Sequence, residues 1–452
     1  MTPRGPLKKP GTFLIRSGCL VTMNARREVR HADLRLKNGV IVEIGNDLKS
    51  EKNEQLIDAR ECFVIPGLVQ VHTHLVQTLF RGLADDLELL DWLKEKIWPM
   101  ENAHDAKSIR ASAQIGLLEM QLSGTTSILD MGTVRLHEIV FEEAEKAGIR
   151  YWGGNCLMDM KATSGPLYRE REDSLAYSRK LIKDWHRKTP LLQYAISPRF
   201  GISCTDKILK ECGKIQKEHD LVFHTHASEN KHEVALVKKR TGLRNVQFLK
   251  KMGCLRKKSV IAHGIHLDNS EINDMVKSDT GLAHCPSSNL KLASGIAKIQ
   301  TYRKKGMKIG LGSDGAPCNN MMDPFMEMRL AALLQKPLFG PTAMPARGAF
   351  ELATLGGAQV LGADDQIGSL DIGKRADVVI VKRDHPSAAT VIDPYSALVY
   401  SCTGRDVRDV WIDGKLVVRD GKHQVYDPST VARDANDELR ELINRLGIPF
   451  AN

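Results

Sequence analysis

A chain of 452 residues, 42% hydrophobic and 27% charged, carries enough apolar material for a large core, which excludes a disordered or fibrous chain. Its net charge of +10 comes from dispersed lysines and arginines with only 5% aromatics, so a nucleic-acid surface, which concentrates charge beside stacking rings, is not expected. Nine cysteines stand singly without a Cys-x-x-Cys pair, and no apolar run approaches the roughly 20 residues that span a bilayer, so a disulfide framework, a zinc ribbon and a membrane partner are not expected either. The basic N-terminal stretch is broken by Arg16 and Ser17 before any apolar run develops, so it does not read as a signal peptide, and a reducing cytoplasm fits the free thiols.

In chain order, residues 32–45 alternate apolar and polar on both sides of Asn38-Gly39, a hairpin signal because Asn-Gly accepts the positive φ of a type I′ turn. Eight short apolar runs alternating with helical periodicity follow, at residues 63–74, 125–130, 150–157, 192–197, 221–226, 259–263, 281–285 and 308–314. Eight such βα units predict a closed (β/α)8 barrel with its active site at the C-terminal ends of the strands. The hairpin grammar returns at residues 410–418 after an apolar run at 376–381. The expected class is α/β: residues 1–65 and 366–452 form a small β-sandwich domain from both chain ends, the latter with a tail, around a barrel at 66–365.

Seven of the fifteen histidines fall at the ends of these strands: His72, His74, His224, His226, His263, His266 and His284. His72 and His74 are two apart on a strand, so both point to one face. His226 is followed by Glu229, which pairs an imidazole ligand with a carboxylate able to move protons. Asp314 ends the eighth run and supplies a hard oxygen. Three imidazoles and a carboxylate suit a catalytic zinc-type ion, which lowers the pKa of a bound water toward roughly 7. Spacing alone also allows His224 in place of His226.

These residues stand in longer motifs. They are Pro-Gly-Leu-Val-Gln-Val-His-Thr-His at 66–74, His-Ala-Ser-Glu at 226–229, Ala-His-Gly at 262–264, Ala-His-Cys-Pro-Ser-Ser-Asn-Leu-Lys-Leu at 283–292, Gly-Leu-Gly-Ser-Asp-Gly at 310–315 and Gly-Ser-Leu-Asp-Ile-Gly-Lys-Arg-Ala-Asp at 368–377. Together they resemble the amidohydrolase superfamily, and within it the cluster of S-adenosylhomocysteine/methylthioadenosine deaminases, guanine deaminases and triazine hydrolases. The resemblance implies metal ligands at His72, His74, His226 and Asp314, a proton-shuttling Glu229 and an orienting His263. It places the ligand before x-x-Glu, which makes His224 a supporting residue, and His266 and His284 are read as packed or hydrogen-bonded. Relatives with two metals carry a carboxylated lysine on strand four, whereas this run ends Ile196-Ser197-Pro198-Arg199. One divalent transition metal per chain is therefore expected, zinc first and iron second.

The implied activity is hydrolytic release of ammonia from an amino-substituted, purine-like ring, with a small heterocycle as partner and a homo-oligomeric enzyme. Trp92 and Glu101 resemble the segment after strand one in both deaminase groups. Gln77 and Arg199-Phe200 resemble the purine-reading residues of guanine deaminases, and Arg199 stands where adenosylhomocysteine-type enzymes commonly carry histidine. Residues 319–336 resemble the latter group, so base and nucleoside substrates both stay open. A triazine-type chlorohydrolase, which would release chloride, and a non-enzymatic protein of the same fold, which would hold no metal, are the alternatives.

Overall fold

The structure is a computed structural model and describes residue 7 and residues 10–447. Eight parallel strands form the barrel: Leu68–Thr73, Thr125–Met131, Arg150–Gly154, Leu192–Pro198, Val222–Ala227, Ser259–His263, Gly281–His284 and Ile309–Leu311. Each pairs with the next in chain order, and the eighth returns to the first through Leu311 and Gln70. Small side chains from successive strands, among them Val71, Ala195, Ala262 and Ala283, join Ala358, Val360 and Leu361 in one cluster that fills the lumen away from the histidines.

The run at 63–74 is not one strand. It splits at Gly67 into Cys62–Pro66, which pairs antiparallel with Val378–Lys382 in the second sheet, and the first barrel strand. A Cβ at Gly67 would lie 2.1 Å from Thr126 Oγ1, so the chain crosses between the two sheets where only glycine fits. The eighth strand is also shorter than expected, and Asp314 lies beyond its end.

The second sheet has nine strands drawn from both chain ends. Strands Val29–Lys37 and Val40–Gly45 flank Asn38 and Gly39 (φ 53° and 82°), and Val407–Ile412 and Lys415–Arg419 flank Asp413 and Gly414 (φ 55° and 71°). These two turns meet, since a Cβ on Gly414 would lie 2.6 Å from Gly39 Cα. Within this sheet Phe13 and Trp411, on strands three apart in its order, pack edge to face at 5.6 Å. Arg150 on the barrel donates two 3.0 Å hydrogen bonds to Asp377 beside the sheet, a buried tie between the units. The last helix, Pro428–Leu446, lies against barrel helix Ala106–Leu122, with Arg445 Nε donating to the Ala103 carbonyl at 2.9 Å. No helix among the described residues is long and apolar enough to cross a membrane, and all nine cysteines are free and buried.

Candidate metal centre

The barrel fold carries four of the seven strand-end histidines to one point. The His72 ring lies 4.9 Å from His74, 4.8 Å from His226 and 5.3 Å from His263. Asp314 Oδ1 is 3.3 Å from His72 Nε2 and 3.5 Å from His74 Nε2, while its Oδ2 is 3.7 Å from His263 Nε2. All five side chains are buried.

Hydrogen bonds around the rim fix which nitrogens face inward. His74 Nδ1 lies 2.9 Å from the Met131 carbonyl and His226 Nδ1 lies 2.9 Å from the Arg199 carbonyl. A carbonyl can only accept, so both rings hold their proton on Nδ1 and turn an Nε2 lone pair inward. Those two Nε2 atoms are 3.2 Å apart. Burial, reinforced by His72, pushes His74 down to about 3, and burial also holds His226 well below the usual imidazole range. A proton therefore does not fill the gap at neutral pH, and the facing lone pairs suit a metal cation. His72 Nε2 is likewise buried without a hydrogen-bond partner among the described residues. Two overlapping sets, His72 with His74 and Asp314, and His72 with His226 and His263, hold ligand atoms within 4.8 Å of one another. Imidazole and carboxylate donors at this spacing fit a borderline-soft divalent transition metal.

Asp314 supplies the negative charge. Burial pushes its carboxyl up, but His72, then His263 and His74, outweigh burial and hold it well below the usual carboxylate range. It also accepts hydrogen bonds from Gly315 N at 2.8 Å and Ser288 Oγ at 2.6 Å. Glu229 behaves oppositely: burial, and next Asp314, raise it well above the usual range, which favours its protonated form. Its Oε2 lies 3.6 Å from His263 Nε2. His263 Nδ1 is 2.9 Å from Asn289 Oδ1. Asp314, His263 and Ser228 all hold positive φ (62°, 69° and 54°), a left-handed backbone that costs a non-glycine residue roughly 1–3 kcal/mol and is typical of functional sites.

The remaining expected residues divide. Gln77, Trp92 and Arg199 line the mouth cavity together with Phe200, His74, His226, Glu229 and Asp314, whereas Glu101 sits behind the wall. Arg199 donates to both Glu101 oxygens, at 2.7 and 2.9 Å, and Gln77 Nε2 donates to Glu101 Oε1 at 2.7 Å. Gln77 Oε1, Arg199 Nε and Trp92 Nε1 remain without hydrogen-bond partners among the described residues. The cavity measures only ≈10 Å3, room for about one water. His224 Nε2 lies 2.8 Å from His72 Nδ1 and so braces that ring. His266 Nε2 lies 2.8 Å from the Ser294 carbonyl, off the centre. His284 is fully buried, and burial, then His263, push it down to about 3. Ser288 and Asn289, legible in the sequence only as part of a motif just past a strand end, hold Asp314 and His263. Phe200, which with Arg199 resembles the purine-reading residues, stacks its ring on His226 at 4.5 Å.

Comparison with known proteins agrees with this geometry. The chain is 37% identical over 92% of its length to a 5′-deoxyadenosine deaminase of Methanothermobacter thermautotrophicus, 95% of which is covered. It is 33% identical over 93% of its length to a 5-methylthioadenosine/S-adenosylhomocysteine deaminase of Bacillus cytotoxicus, of which 97% is covered. The crystal structure of a zinc-bound adenosine deaminase from Xanthomonas campestris superposes with a TM-score of 0.91 at 28% identity, covering 96% of this chain and 99% of that one. The sequence profile described as the amidohydrolase family matches residues 63–417. With that match and those relatives, the chain belongs to the amidohydrolase family, and it is a hydrolase acting on carbon–nitrogen bonds.

Proposed function

We propose that this enzyme hydrolytically deaminates the adenine ring of a nucleoside altered at its 5′ position, using one divalent ion, zinc, held by His72, His74, His226 and Asp314. The observation that carries the metal reading is the pair of unprotonated Nε2 atoms 3.2 Å apart beside the Asp314 carboxylate. When bound, the ion lowers the pKa of a water from 15.7 toward about 7. Asp314, held ionised, accepts the proton of the attacking water. Glu229, its carboxyl raised by burial and Asp314, gives its proton to the ring nitrogen as the amino-bearing carbon becomes tetrahedral, and His263 steadies the new oxygen. Asp314 then passes its proton to the amino group, which leaves as ammonia, while the hydroxyl proton of the new oxygen returns to Glu229 and the ring keeps a carbonyl.

The nucleoside reading is supported by the relatives' substrates and by the Glu101 carboxylate, which already occupies both terminal nitrogens of Arg199. A free-base reading draws on the unpartnered Gln77 Oε1 and Arg199 Nε. Ammonia and chloride release from 5′-deoxyadenosine, methylthioadenosine, S-adenosylhomocysteine, guanine, isoxanthopterin and a chlorotriazine decides among the readings. The nucleosides are expected to be turned over with the highest kcat/KM, and a preference for guanine or release of chloride overturns the assignment. We also assign the enzyme to a reducing cytoplasm and to a homo-oligomer, with a small molecule and neither nucleic acid nor membrane as partner. Nine free buried thiols support the first. The apolar outer face of helix Pro324–Phe339, with Met326, Leu333, Leu338 and Phe339 exposed, supports the second.

A further inference from the structure

The connection between strands Val378–Lys382 and Val407–Ile412 brings together three side chains of metal-binding type that take no part in the barrel mouth. His385, Cys402 and Asp406 each offer one ligand atom, and all three atoms lie within 4.8 Å of one another. His385 precedes the short helix Pro386–Ala389, and its Nδ1 is engaged at 3.0 Å by Ser387 Oγ. Its Nε2 is shielded from solvent and has no hydrogen-bond partner among the described residues. Asp406 uses Oδ2 to accept hydrogen bonds from Thr403 N and Oγ1 at 2.7 and 3.0 Å, which leaves Oδ1 aimed at His385 Nε2 at 3.6 Å. That distance is long for a hydrogen bond, yet close to the roughly 3.4 Å edge of a tetrahedron with zinc–nitrogen and zinc–oxygen legs of about 2.1 Å. Cys402, buried, completes the triangle.

We propose that His385, Cys402 and Asp406 form a second metal site for a borderline-soft divalent transition cation of the zinc class, with solvent as the fourth ligand. Imidazole nitrogen, thiolate sulfur and carboxylate oxygen are the donor set such ions select, and hard ions such as magnesium do not take sulfur. Burial, then Asp406, push the Cys402 thiol up to about 12, so without a cation the sulfur stays protonated. On binding, the S–H bond breaks, a sulfur–metal bond forms and the proton passes to solvent. The site closes residues 385–406 into a clamp. Gly404 N in the same turn donates at 3.0 Å to Asp323 Oδ2, and Asp323 caps helix Pro324–Phe339 of the barrel, so the clamp fastens the second sheet's connection to the barrel wall.

The test uses the full chain, stripped of metal and titrated with Co2+, followed by absorbance and ammonia release. A thiolate-to-cobalt charge-transfer band in the near ultraviolet is expected, saturating at one equivalent beyond that which restores activity. The barrel-mouth donors contain no sulfur, so activity reports that centre and the band reports this one. Cys402→Ser should abolish the band and one bound equivalent while leaving ammonia release within twofold. Should that variant fail to fold, His385→Gln, whose side chain is 24% exposed, should abolish the band with the thiol still in place. No band at saturating Co2+, or a band that survives either variant, overturns the proposal.

Discussion

Two groups of buried polar side chains share the barrel mouth, and they are balanced in opposite ways. Arg199 and Glu101 cancel in charge and, with Gln77, pair donors against acceptors at 2.7–2.9 Å, leaving over only Arg199 Nε and Gln77 Oε1. His74 and His226 do the reverse, facing acceptor against acceptor at 3.2 Å with His72 Nε2 orphaned beside them. A self-cancelling group can be buried without help, whereas a group of converging lone pairs is stable only around a cation. The imbalance marks where an ion belongs, and the balance marks the wall built around it.

The largest effect should come from emptying the unbalanced group. His226→Ala is expected to lower bound metal at the mouth by one equivalent and ammonia release by at least roughly 10⁴-fold, since the acceleration available to an enzyme of this kind exceeds about 10⁶. Elemental analysis beside a turnover assay checks both, and a variant that keeps its metal would remove His226 from the ligand set. Next comes the proton-shuttling carboxyl. Glu229→Gln should leave metal content unchanged and lower kcat by roughly 10²–10⁴-fold, the usual worth of a general acid–base group. Metal loss in that variant would make Glu229 a ligand instead.

Breaking the balanced group should show first in stability. Arg199→Ala strands the Glu101 carboxylate and is expected to cost about 3–5 kcal/mol in chemical denaturation, most of it recovered by Arg199→Met with Glu101→Gln. A loss below about 1 kcal/mol would mean that the pair is not self-cancelling and would favour a base-reading Arg199. The smallest effect belongs to the support of Asp314. Ser288→Ala removes a 2.6 Å hydrogen bond and should lower metal affinity or activity by roughly 10–100-fold. No change in either would show that Gly315 N suffices.

What could be read from the sequence follows the range of the interactions. The turns at Asn38-Gly39 and Asp413-Gly414 are local chemistry, and both take the positive φ that was expected. The eight strands and the inward-facing His72 and His74 follow from periodicity. The split at Gly67 escaped because an unbroken apolar run fits one strand or two, and only the approach of Thr126 to the glycine distinguishes them. At the mouth, the ligand types were legible, but the carbonyls of Met131 and Arg199 that set their tautomers belong to the backbone and leave no mark on side-chain identity. The Arg199–Glu101 pair spans 98 positions, so each residue alone read as a substrate contact.

The mouth cavity of ≈10 Å3 has a kinetic meaning. A purine ring needs far more room than one water, and the roof consists of Leu89, Trp92 and Leu93, the last two on the π-helical turn Trp92–Ile97. Such turns carry one residue more than the α-helix accommodates and recur at functional sites. A ring of that size therefore reaches the Asp314 carboxylate only when this segment moves aside, and in enzymes with such roofs product release can limit turnover as much as proton transfer does.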